Sequence, residues 1–223
     1  MLQAPDPVLP RPRPGRVVLE GRYARLEPLS SVHAQGLYEA SSGEGAAERF
    51  AFLPAYPPSE PGDMLAWIAQ AASGDDRLYS AVVDRASGAA LGRQSLMRID
   101  AANGVIEIGD ILWGPRMARS RLATEALYLA ARHVFDDLGY RRFEWKCNDL
   151  NRPSKRAALR FGFAFEGVFR QHMWVKGANR DTAWFAMLDR DWPALRREYQ
   201  RWLDPANFDA SGIQRTPLAV PLA

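Results

Sequence analysis

From Leu122 onward, apolar or small side chains fall at Leu122, Ala126, Ala130, Val134 and Leu138, beside Leu127, Ala131 and Phe135. A four-residue recurrence keeps one helical face apolar, and Gly139 tolerates the left-handed cap, so the pattern predicts a long helix stopping there. Before it the rhythm is that of strands. Val17 to Leu26, Leu78 to Asp84, Ala90 to Ile99 and Val105 to Trp113 are rich in β-branched and apolar residues. The turns Ala86-Ser87-Gly88 and Ala102-Asn103-Gly104 join the last three into an antiparallel meander. Ser30-Ser31 predict a helix through about Ala40, and Ser59-Glu60-Pro61 opens another with Met64, Leu65, Ile68 and Ala72 on one face.

After the long helix the order is strand Arg142 to Cys147, helix Ser154 to Phe161 stopped by Gly162, and strand region Phe163 to Val175. A turn at Lys176 to Asn179, a strand Thr182 to Leu188 and a helix Asp191 to Leu203 complete it. This succession predicts an α+β fold: a central mixed, mostly antiparallel sheet flanked by helices.

Prolines at 5, 7, 10, 12 and 14 mark residues 1–15 as an extended arm, because they remove backbone donors and block helix. No repeat or low-complexity tract interrupts the rest of the chain, so residues 16–203 read as a single domain and 204–223 as an extended tail. The charge balance, 29 Lys+Arg against 26 Asp+Glu, suits anionic ligands without demanding nucleic acid. The one cysteine, Cys147, and the scattered His33, His133 and His172 have no metal-ligand spacing, so no metal is expected. No apolar run reaches the ~20 residues of a membrane span, and MLQAPDPVLPRPRPG lacks a secretory core, so a cytoplasmic protein with no membrane partner is expected.

The informative join runs from the Val105 strand through Gly114-Pro115 into RMARSRLATEA, which opens the long helix. A helix N-terminus presents free N–H groups and the positive end of its dipole, and Arg116, Arg119 and Arg121 lie beside it. A phosphate seat is one reading. Capping by Ser120 or Thr124, with solvated arginines, is the other.

Four segments, IEIGDILWGP, LATEAL, NDLNRPSKRAALRFGF and FEGVF, stand in an order and at separations that resemble the GCN5-related N-acetyltransferase (GNAT) superfamily. The branch that includes the ribosomal-protein N-terminal acetyltransferases is the nearest in pattern, and the likeness covers roughly Val17 to Asp191. It implies acetyl-CoA wedged between two splayed parallel strands, here those centred on Ile111 and Glu144. It also implies acetyl transfer to a primary amine, a small molecule or a protein N-terminus, by direct attack in a ternary complex. Homodimers are frequent in the family.

Residue by residue, the resemblance implies cofactor contacts at the backbone of Ile111, Leu112 and Trp113 and at the phosphate loop Arg119, Ser120, Arg121, Leu122, Ala123 and Thr124. It places Asn151 on the pantetheine arm, while Arg156, with Lys155 and Arg160, suits the 3′-phosphate. Where the family's loop usually has its first glycine this chain has Arg121; a side chain there obstructs the loop, or Arg119 and Arg121 hold the diphosphate themselves. Glu107 occupies a general-base position, with Asp110 in reserve on the opposite strand face by period-two alternation. Ser154 is the matching proton donor.

Simpler readings stand beside these. Glu107 also suits a solvent-facing strand position, Asn151 a helix cap, and Cys147 a packed thiol rather than a nucleophile. Trp67, Trp113, Trp145, Trp174 and Trp184 suit core area, with Trp145 and Trp174 candidates for an acceptor pocket. Glu44, Glu48 and Glu60 suit loop charge or attraction of a cationic acceptor. The alternative function is a catalytically silent acetyltransferase-like binding or regulatory module. Nucleic-acid binding through arginines such as Arg116, Arg141 and Arg152 is a third reading, with no motif behind it.

Overall fold

The computed structural model describes residues 8–220. The chain runs β1 (Leu19–Glu20), β2 (Ala24–Pro28), α1 (Ala34–Ser41), α2 (Ala46–Phe50) and α3 (Pro61–Ser73). The meander β3 (Arg77–Asp84), β4 (Ala90–Asp100) and β5 (Val105–Trp113) precedes α4 (Arg121–Arg132), β6 (Arg142–Asn148) and α5 (Arg152–Arg160). Then come β7 (Ala164–Val175), β8 (Ala178–Leu188) and α6 (Trp192–Trp202). The eight strands form one sheet in the order β1-β2-β3-β4-β5-β6-β8-β7, antiparallel everywhere except between β5 and β6.

Both faces are covered. On one, α4 buries Leu122 through Ala131 against Ile106, Ile108 and Phe143, with α6 adding Trp192, Leu195 and Tyr199. On the other, Leu37 of α1 and Met64 and Ile68 of α3 pack on Tyr79, Ala81 and Val83. Gly114 lets these layers meet closely: a Cβ there would lie 2.7 Å from that of Ala40. Leu65 departs from the expected apolar face and is exposed.

The first predicted strand divides into β1 and β2 at Gly21. Its cause lies a hundred residues away. The buried carboxylate of Glu125 on α4 accepts the N–H groups of Arg22, Tyr23 and Ala24 at 2.8, 2.5 and 2.6 Å, and a Cβ on Gly21 would sit 2.6 Å from that carboxylate. After Arg132, α4 widens into a π turn over His133–Asp137, and the coil ends at Gly139 with φ +67°.

The described terminal segments pack on the body of the protein. Arg11 N–H donates to Ala101 and Tyr140 Oη to Pro12. At the other end Asn207, Phe208 and Leu218 are buried, and a bridge joins Phe208 to Gln214. The extended tail expected from the sequence is therefore corrected, because Phe208 packs edge-on against Trp202 and the Asn207 amide donates to the Trp202 and Thr216 carbonyls. Residues 1–7 and 221–223 lie outside the described residues.

Candidate active site

The parallel ladder is short. Val105–Ile108 pair with Arg142–Trp145, and beyond them β5 continues without β6 as partner, leaving a fork. The opening is prepared on the other edge of β5, where Ser95 faces Gly109 but Arg93 faces Leu112, so that Asp110 and Ile111 together oppose Gln94. Asp110 takes the left-handed conformation, φ +48°, as a bulge of this kind requires.

That bulge corrects one expectation. Strict alternation puts Glu107 and Asp110 on opposite faces; the extra residue shifts the phase, and both line one cavity. Ile111 and Trp113 pack against the α4 core, Ile111 also bordering that cavity. Two further bulges act likewise on the same cavity. Arg98, φ +48°, sits where β4 slips against β5, and Gln171, φ +49°, where β7 slips against β8 beside His172. Non-glycine residues in this conformation store local strain of order 1–3 kcal/mol, and their clustering marks a region shaped by something other than stability.

On the α4 side of the fork lies a cavity of about 740 Å³. Arg119, Arg121, Arg156 and Arg160 line it, and no aspartate or glutamate does. Ser120 caps α4, its Oγ accepting the Ala123 N–H at 3.4 Å, and Arg160 reaches across from α5 to Thr124 Oγ1 at 3.1 Å. Trp113 Nε1 on the same wall is buried without a hydrogen-bond partner. Free helix N–H groups, four guanidiniums and an orphaned donor suit a polyanionic ligand with acceptor oxygens. Arg121 is the first residue of α4, in helical conformation, so its position needs no glycine for its torsions. Its guanidinium lies over the Tyr23 ring at 4.3 Å from the centroid, near Phe208. The left-handed residue of the loop is Arg119, φ +61°.

Across the fork is a second cavity, about 160 Å³, where Glu107, Ile111, Asn151 and Ser154 come together. Glu107 is 4% exposed, with Lys146 Nζ 3.0 Å and Arg98 Nε 3.5 Å from Oε2. Burial pushes its carboxyl above the ordinary glutamate range, and Lys146 and Arg98 offset only part of that. Lys146 also touches Glu144 at 2.7 Å and lies over the Trp184 ring. Asp110 is engaged through one oxygen: the Arg77 guanidinium and Tyr79 hydroxyl both reach Oδ2 at 2.7 Å. Asn151 Oδ1 accepts the Ser154 N–H, which caps α5, and Trp145 Nε1 donates to Ser154 Oγ at 3.0 Å. Burial raises the Cys147 thiol, which suits a packed thiol and not a nucleophile.

The expected residues thus divide between two chambers joined at the fork. Trp113, Arg119, Ser120, Arg121, Ala123, Thr124 and Arg156 fall in the larger one, and Glu107, Ile111, Asn151 and Ser154 in the smaller. Leu112 and Leu122 are buried and line neither. Lys155 is held by Asp149 at 2.6 Å. Trp145 lines the smaller chamber whereas Trp174 is exposed outside it, and Glu60 caps α3. Sequence reasoning missed Arg49, Arg77, Arg98, Lys146 and Arg180, and it set aside His172, all of which line the smaller chamber. Only Lys146, two residues from Glu144 on one strand face, left a local trace. Among the described residues no cluster of three or more metal-ligating side chains occurs, and no helix is long and apolar enough to cross a membrane.

A family model described as an acetyltransferase (GNAT) domain matches residues 24–164. The fold is similar to the solved structure of a GCN5-related N-acetyltransferase from Brucella melitensis, 57% identical, covering 94% of this chain and 95% of that one with a TM-score of 0.92. A probable acetyltransferase (GNAT family) from Chromobacterium violaceum ATCC 12472 is 35% identical over 87% of this chain and 99% of its own, TM-score 0.77. The Microcin C7 self immunity acetyltransferase MccE, solved in complex with acetyl-CoA and AMP, shares the fold at 22% identity, covering 75% and 93%, TM-score 0.66. No curated protein matches the chain.

Proposed function

Because the chain belongs to the GNAT acetyltransferase family, whose activity is acetyl transfer from acetyl-CoA, we propose that it acetylates a primary amine by direct attack in a ternary complex. The carrying observation is the fork, with an acid-free chamber of four arginines on one side and Glu107 and Ser154 on the other. Acetyl-CoA supplies the acetyl group as a thioester, which is cleaved at its C–S bond as the new N–C bond forms.

The chain's own residues have separable tasks in this reading. The unbonded N–H groups of Arg121 and Leu122 and the guanidiniums of Arg119 and Arg121 hold the diphosphate, Ser120 fixes the turn by accepting the Ala123 N–H, and Arg156 takes the 3′-phosphate. Beyond Ile108, backbone groups of Ile111, Leu112 and Trp113 have no ladder partner on the β6 side, which leaves them for the pantetheine amides and thioester carbonyl. Asn151 borders the same arm. Glu107, with its carboxyl raised by burial, takes the proton of the incoming ammonium, and Ser154 returns one at the leaving sulfur. Trp145 donates to Ser154 Oγ, so the serine hydroxyl hydrogen is left to point elsewhere.

Arg121 in place of the family's glycine does not argue for a silent module, since the residue is helical and its guanidinium lies over Tyr23 while still lining the larger chamber. The finer placement, in the ribosomal-protein N-terminal acetyltransferase branch, rests on the sequence pattern alone, since a Vibrio cholerae structure described as a putative ribosomal-protein-serine acetyltransferase is 16% identical and shares only the fold. A thermal-shift titration tests the proposal. Acetyl-CoA at ~100 times its Kd adds about 2.7 kcal/mol, a rise of roughly 5–10 °C for a domain of this size. No shift at millimolar acetyl-CoA overturns it.

A further inference from the structure

The smaller chamber holds more positive charge than its own carboxylates can balance. Arg49, Arg77, Arg98, Lys146 and Arg180 line it, each from a different part of the chain, against Glu107 and Asp110. Arg77 is taken by Asp110, while Lys146 and Arg98 share Glu107, with Glu144 behind Lys146. Two guanidiniums are left over. Among the described residues the Arg180 guanidinium has no carboxylate within 4.0 Å and no hydrogen bond, and its Nε is buried. Arg49 donates only to the backbone carbonyls of Glu44 and Ser42, and its Nε is likewise buried without a partner.

Partly buried cations without counter-charge cost stability unless a ligand supplies it. The cofactor's phosphates are not that ligand in the proposed pose, since Arg119, Arg121 and Arg156 serve them across the fork. The field also reaches His172, whose imidazole is depressed by burial first and then by Arg98, Arg180 and Lys146. A bare polyamine would bring further positive charge into this field. An amine with a neighbouring oxyanion would neutralise it, and the same field would ease removal of the ammonium proton.

We propose, building on the acetyl-transfer reading, that the acceptor is a small primary amine bearing an oxyanion beside the nitrogen, a carboxylate or a phosphate, bound through Arg180 and Arg49. The smaller chamber is then a specificity pocket, in which the oxyanion meets the two guanidiniums that lack a carboxylate while the amine faces Glu107.

Thiol release from acetyl-CoA, measured with matched acceptors, tests this. L-alanine is compared with L-alaninamide, and O-phosphoethanolamine with ethanolamine; spermidine and an alanine-initiated peptide complete the panel. The expected result is at least a tenfold higher kcat/KM for the oxyanion-bearing member of one pair, and the pair that shows it distinguishes carboxylate from phosphate. Arg180→Gln should collapse that ratio toward one, with Arg49→Gln as a second variant. Equal or better use of alaninamide, spermidine or the peptide overturns the inference and leaves acetyl transfer standing. If no amine releases thiol, thermal shift decides the two claims separately. Absence of an acetyl-CoA shift sinks acetyl transfer. Stabilisation by L-alanine or O-phosphoethanolamine that Arg180→Gln abolishes supports the anion pocket, and its absence overturns it.

Discussion

The two chambers at the β5–β6 fork are built by opposite means. The larger is assembled chiefly from α4 and α5, where Arg119 and Arg121 flank the Ser120 cap and Arg156 and Arg160 follow the Asn151 cap along α5. Its chemistry is that of orphan N–H groups and guanidiniums, properties of contiguous sequence. The smaller draws charge from β3, β4, β5, β6 and β8, and its floor depends on bulges at Arg98 and Asp110 that turn side chains out of register. A phosphate seat is thus a local device, whereas an acceptor pocket is a product of topology.

The sharpest way to break this division is to remove the proposed base. Glu107→Gln should lower kcat at neutral pH by about 10²–10⁴-fold while leaving acetyl-CoA affinity within twofold. Because burial holds the Glu107 carboxyl above its ordinary range, the acid limb of the wild-type rate profile should lie above about pH 4.5 and vanish in the variant. A fully active variant removes Glu107 from catalysis.

Next in size is a structural effect on the donor side. Glu125→Ala strips the acceptor from three backbone donors in the β1–β2 turn and should cost about 3–4 kcal/mol, read as a fall in Tm of roughly 10 °C. An unchanged Tm would mean the turn is held otherwise. Arg119→Ala with Arg121→Ala should weaken acetyl-CoA by about 10–100-fold, at 1–3 kcal/mol for charge-assisted bonds, without altering acceptor KM. Equal losses for both ligands would erase the distinction between chambers.

Ser154→Ala should slow turnover by about tenfold, less than the ~10²–10⁴-fold typical of general acid–base catalysis because a thiolate is a good leaving group, with cofactor Kd unchanged. Smallest of all is an effect on acid unfolding. Arg142 hydrogen-bonds Glu166 and holds its carboxyl below the usual range. That stability is present above the ordinary glutamate value and is lost as pH falls through the depressed one. Arg142→Gln should flatten the loss of stability below about pH 4.5, as followed by denaturant titration at several pH values.

The same contrast explains what was legible in the sequence. The meander, α4 with its Gly139 stop and the Asn151 cap are readable because period, cap and turn residues act over a few positions. The opposition of Glu107 and Asp110 was misplaced because no local signal marks a non-glycine bulge. Arg180 and Arg49 carry no motif; only the β6–β8 and β7–β8 pairings and the fold of the α2 region bring them to Glu107. Phe208 in a polar segment was the one hint that the tail closes the larger chamber.

A crystal structure with coenzyme A bound tests the central claim most directly. The account predicts diphosphate oxygens within about 3 Å of the N–H groups at the start of α4 and the thiol end passing between β5 and β6 toward Ser154. A diphosphate seated instead among Arg98, Lys146 and Arg180, or a larger chamber left empty at saturating coenzyme A, would contradict it.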